Sequence, residues 1–71
     1  MSHYTLQINV DGAVRDEWHG LTITQVNNHL DKVLFNHELE EFLTDLMLDE
    51  EATASLWQGY TSTVYYGHRE I

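Results

Sequence analysis

Apolar and polar residues alternate from His3 to Val10, with Tyr4, Leu6, Ile8 and Val10 on one side and Thr5, Gln7 and Asn9 on the other. This is the period of a half-buried strand. Asp11-Gly12 marks a turn, and the stretch from Ala13 to His19 reads as the returning strand. A two-residue loop would pair Val10 with Ala13 and set Ile8 against Arg15, mixing charge into the apolar face. The pattern favours a three-residue loop, Val10-Asp11-Gly12 with Gly12 left-handed, which pairs Ile8 with Val14 and Tyr4 with Trp18. Asp16 then falls opposite Leu6, so the face is expected to be only partly covered there.

Gly20 ends the extended run, and the period changes from Leu21 onward. Thr22 and Gln25 have capping-box spacing, and Leu21 with Val26 suits the hydrophobic staple that accompanies it. Ile23, Val26, Leu30, Val33 and Leu34 form one apolar side, while Asn27, Asn28, Asp31 and Lys32 face outward. Asn36 is placed to stop this helix and cap the next, with Glu38 in its favourable first turn. The second helix is expected from about His37 to Leu48, its core side carried by Leu39, Phe42, Leu43, Leu46 and Met47.

Leu48, Ala52 and Leu56 lie on a different side, which predicts a break and a further helical piece capped by Asp49 and ending before Gly59. Tyr60 to Tyr66, rich in Thr, Val and Tyr, predicts a third strand. The residues from Gly67 to Ile71 are expected to fray. The reading is a single domain over residues 1–71, of α+β class. A small antiparallel three-stranded sheet carries helices packed on one face, in the order β-β-α-α-β.

Composition narrows this picture. Seventy-one residues are near the lower limit for an unassisted core, and no Cys is present for a disulfide or a structural zinc. Stability then rests on close packing or self-association, and a homodimer is one expectation. Twelve acids against Arg15, Lys32 and Arg69 give a formal charge of −9, which repels phosphate backbones and anionic lipid and argues against direct nucleic-acid or membrane binding. With 42% hydrophobic residues the chain is nonetheless a folded domain rather than a disordered acidic tract. No basic segment followed by an apolar run comes after Met1, and the longest apolar stretches are Val33-Leu34-Phe35 and Leu46-Met47-Leu48. A cytoplasmic protein is expected.

No reaction is legible. Ser2, Ser55 and Ser62 stand in no nucleophile motif, and Gly12, Gly20, Gly59 and Gly67 read as isolated turn residues rather than a phosphate-binding loop. Asp49-Glu50-Glu51 lacks the central Gly of a calcium loop. His37 and Glu41 have helical ligand spacing, but two residues do not make a metal site. His3, His19, His29 and His68 share no spacing. No catalytic residue, cofactor or metal is therefore assigned. Trp18 and Trp57 read as core anchors, and of Tyr65 and Tyr66, adjacent on a strand, one should be exposed.

What remains is the acidic run. Glu38, Glu40, Glu41, Asp45, Asp49, Glu50 and Glu51, seven of the twelve acids, occur with no Lys or Arg between them. Helical steps of three, four and four align Glu38, Glu41, Asp45 and Asp49 as a stripe. At about 1.5 Å rise per residue the segment carries roughly one charge per 3 Å, close to the ~3.4 Å per phosphate of one DNA strand. A charge run usually means only a solvated face. Ordinary exposed helices, however, interleave opposite charges, whereas like charges at these spacings cost about a few tenths of a kcal/mol per pair.

In its short single domain, its lack of Cys and its dense run from Glu38 to Glu51, the chain resembles the small acidic proteins by which bacteriophages block host defences, anti-CRISPR proteins and DNA mimics among them. The resemblance is of general character and transfers no residue by correspondence. It implies a non-enzymatic inhibitor, acting in the cytoplasm of a bacterial host, that occupies a positively charged nucleic-acid-binding site on a host protein complex. The seven acids are the candidate contact residues. The competing expectation is a small homodimeric adaptor or structural module using its sheet face and exposed aromatics.

Overall fold

The computed structural model describes residues 2–70. The alternating N-terminal segment forms β1 (His3–Val10) and returns as β2 (Ala13–Leu21), followed by α1 (Ile23–Leu30), α2 (Asn36–Asp49), β3 (Glu51–Gln58) and β4 (Thr61–Glu70). The class is α+β, as expected, but the antiparallel sheet has four strands, ordered β2-β1-β4-β3, and the element order is β-β-α-α-β-β. The extra strand is β3, where a helical piece capped by Asp49 had been predicted. Ala52 and Leu56 are four residues apart, a spacing that satisfies a helical turn and two strand periods equally well. The intervening Ala54 also turns inward, and with it the segment alternates as a strand does. Asp49 is instead the last residue of α2, and Glu50, left-handed at φ 67°, turns the chain directly into β3.

The β1-β2 turn holds two residues rather than three. Asp11 and Gly12 both have positive φ, 51° and 84°, as a tight hairpin turn requires, and Val10 pairs with Ala13. The charge conflict that disfavoured this loop is relieved by a bulge. Asn9 pairs with Val14 and Ile8 with Asp16, so Arg15 is the extra residue. A second bulge follows, with Tyr4 opposite Leu21 and Leu6 opposite Trp18, and Gly20 takes φ 69° within it. Gly20 therefore bends β2 without ending it.

The capping box at the start of α1 is present in both directions. Gln25 N donates to Thr22 Oγ1 at 3.2 Å, and Thr22 N donates to Gln25 Oε1 at 2.9 Å. This helix stops at Leu30, earlier than the apolar spacing predicts, and a turn over residues 31–33 leaves Val33 exposed while Leu34 returns to the core. Asn36 does not cap α2. It is the first helical residue, and Phe35 at the N-cap makes no side-chain bond.

Both helices cover one face of the sheet. Leu6, Val26, Leu30 and Leu46 are fully buried there, with Tyr4, Phe42, Ala52 and Tyr65 around them. β4 runs to Glu70 beside β1 instead of fraying at Gly67, while Ile71 lies outside the described residues. Gly67 is no turn residue either. A Cβ placed on it would stand 3.1 Å from Phe42 Cζ and 3.4 Å from Leu46 Cδ1, so its bare Cα is what lets α2 lie close on the sheet. Trp18 is half-buried against the core and stacks on His29 at 4.4 Å. Trp57 is not an anchor, being 73% exposed near the end of β3, and Met47, predicted on the core side, is exposed. Tyr65 is buried and Tyr66 only partly, as adjacent strand residues require.

Candidate functional site

Helical periodicity carries α2 across the sheet with Leu39, Phe42 and Leu46 down. Glu38, Glu41 and Asp45 are thereby rotated toward the β3 side, where they line a groove of about 150 Å³ with Thr53, Ala54 and Ser55. Glu38 and Asp45 are partly sheltered in it, and Glu41 is exposed. The structure thus brings together three of the seven predicted contact residues and gives them a floor that the sequence reading missed. Asp49 is exposed at the end of the helix, and Glu40 is exposed but does not line the groove.

The other two acids have partners. Glu50 Oε1 pairs with Arg69 Nη1 at 3.2 Å, and Glu51 accepts a hydrogen bond from the Tyr66 hydroxyl at 3.2 Å on the sheet face away from the helices. Among the described residues, Arg69 is the one Lys or Arg in an ion pair, so Arg15 and Lys32 neutralise no groove carboxylate. The last turn of α2 also holds no basic residue. Asp45 and Asp49 therefore oppose the negative end of the helix dipole, and that arrangement disfavours the isolated helix.

The groove borders a sheet edge. Arg69 N donates to Glu50 O at 2.8 Å, which fixes the alternation of the β3-β4 ladder. Ala52, Ala54, Leu56 and Gln58 bond inward to β4, leaving the backbone groups of Glu51, Thr53, Ser55 and Trp57 facing out. Among the described residues no other strand or backbone group takes them up.

At the other end of the sheet, Glu70 accepts from Thr5 Oγ1 at 2.7 Å and from Gly20 N at 2.8 Å. Those bonds, chiefly the one from Gly20, hold its carboxyl below the usual carboxylate range. Desolvation raises the Tyr66 hydroxyl, with Glu51 adding to the effect, and desolvation likewise raises Tyr65. None of these groups forms a nucleophile and base pair. Among the described residues no three His, Asp or Glu side chains gather as a metal-binding group, and no helix is long and apolar enough to cross a membrane.

No protein-family model matches the chain, and no curated protein or solved structure matches it either.

Proposed function

We propose that this protein is a non-enzymatic acidic inhibitor that binds the positively charged nucleic-acid-binding site of a host protein complex in the bacterial cytoplasm, in the manner of anti-CRISPR proteins and DNA mimics. The observation that carries the reading is the unneutralised row of Glu38, Glu41 and Asp45 along one side of α2. Its members repel one another at helical spacings, and Asp45 at its far end also opposes the helix dipole, an arrangement that stability alone does not favour. Asp49 extends the field at one end, Glu40 and Glu51 add to it from neighbouring surfaces, and the charge of Glu50 is offset by Arg69. Lys and Arg groups that normally hold phosphates are the complementary partner, and association steered by such fields is fast and weakens with salt.

The test is capture from a bacterial lysate followed by purified binding with each protein identified. Capture of nucleic-acid-binding proteins, elution at moderate salt and displacement of nucleic acid from the purified partner are the expected results. Glu41→Lys/Asp45→Lys should abolish capture with the fold intact by circular dichroism. Unchanged affinity in that double variant removes the proposal.

A second reading, a homodimeric adaptor, draws on Trp57, which projects from β3, and on Tyr66, which lies on the sheet face that no helix covers. It requires self-association that survives added salt, measured by sedimentation.

A further inference from the structure

We propose that the outer edge of β3 is a strand-addition site for an extended basic segment of the partner protein, held by backbone hydrogen bonds below and by the α2 carboxylates above. The proposal rests on the inhibitor reading and says how the partner is gripped. Its starting point is the edge itself. β3 pairs with β4 over all eight residues in unbroken register, from Glu51 opposite His68 to Gln58 opposite Thr61, with no bulge and no Pro or Lys along it. Regular, unobstructed edges are templates for another strand.

Geometry then selects the occupant. An antiparallel strand added to β3 would lie about 4.8 Å away, its hydrogen-bonded residues opposite Thr53 and Ser55 and on the helix-free face with them. Its alternate residues would point to the helix face, toward Glu38, Glu41 and Asp45. Successive side chains on that face of a strand are about 6.7 Å apart, and helical steps of three and four residues advance about 4.5 and 6 Å. Long flexible Lys or Arg side chains span the difference.

A second copy of this chain is a poor occupant. Edge-to-edge pairing about a two-fold axis would set two α2 helices side by side on the same face of the joined sheet, with their carboxylate rows opposed. The same row that attracts a basic strand repels this one.

The experiment uses the intact protein and two short capped peptides of alternating Lys and Thr, one of them methylated on the backbone nitrogen of every Thr. Charge is identical in the two, but the methylated peptide cannot donate to β3. Binding is followed at low salt by titration and by residue-resolved amide hydrogen exchange. The expected result is slowed exchange at Thr53 and Ser55 with the unmodified peptide, and binding about tenfold weaker for the methylated one. Equal binding of both peptides without slowed exchange, abolished by Glu41→Lys/Asp45→Lys, would overturn strand addition and leave the charged-surface reading standing. No binding of either peptide would overturn both. Protection of Thr53 and Ser55 in the free protein, together with a dimer in sedimentation, would give the edge to a second copy and also overturn the proposal.

Discussion

The sheet has two edges, and they are built on opposite plans. β2 carries two bulges within nine residues, a left-handed Gly20, and the consecutive charges Arg15, Asp16 and Glu17. A strand so twisted and charged offers a poor template for pairing. β3 has none of these devices on the strand itself and keeps a regular ladder to its end. Apart from Glu51 at its start, the charges nearest to it stand off the edge, on α2, where they border the outward backbone without disturbing it. One edge is closed by distortion of its own backbone, whereas the other is left straight and screened by sign of charge. Distortion excludes every strand alike, but charge excludes only strands of like sign.

The largest effect expected from breaking this contrast is on the wall of the β3 groove. Leu46 is fully buried beneath α2 and would touch a Cβ on Gly67. Leu46→Ala should destabilise the protein by about 2–5 kcal/mol in urea unfolding. It should also speed amide exchange in α2 and β3 more than in β2. Gly20→Ala comes next and acts on the other edge. Nothing lies within 4 Å of the added methyl, so the cost is the positive φ alone, about 1–2 kcal/mol, without loss of the β3 groove.

Neutralising the screen, as in Glu41→Gln/Asp45→Asn, should leave stability nearly unchanged and raise dimer formation a few-fold in sedimentation. Asp16→Asn/Glu17→Gln on the bulged edge should raise it little. The smallest effect is at Glu70, whose bonds to Thr5 and Gly20 tie β4 and β2 across β1. Its folded carboxyl lies below the usual value, so its stabilisation is present above the ordinary carboxylate range and fades as pH falls through the lowered value. Glu70→Gln should therefore lower the urea midpoint slightly at neutral pH and flatten its decline in acid.

Much of the fold was legible because its signals are local. Alternation gave β1 within its observed bounds, the Thr22 and Gln25 pair gave the start of α1, and Glu38, Glu41 and Asp45 fell on one helix side as their spacing requires. The misreadings come where two periods coincide or where the deciding contact is distant. Ala52 and Leu56 fit a helix as well as a strand. Glu50 adopts a left-handed turn that Gly or Asn would have announced and an acid does not. The end of β4 is held by Glu70 reaching Gly20 and Thr5, fifty and sixty-five residues away in sequence. For the candidate site, the carboxylate row could be read from spacing, but its floor could not, since β3 was hidden inside a supposed helix.

Glu50 has one more implication. A single residue joins α2 to β3, so there is no slack with which the helix could slide along the strand beside it. One amino acid inserted after Glu50, with the one-residue turn kept, would slip β3 by one place, turning its side chains to the opposite face and exchanging its inward and outward backbone groups. The connection from α1 to α2, residues 31–35, has room to absorb such a change. Length variation is therefore tolerable on one side of the second helix and forbidden on the other, and that hinge acts as the ruler between charge and backbone.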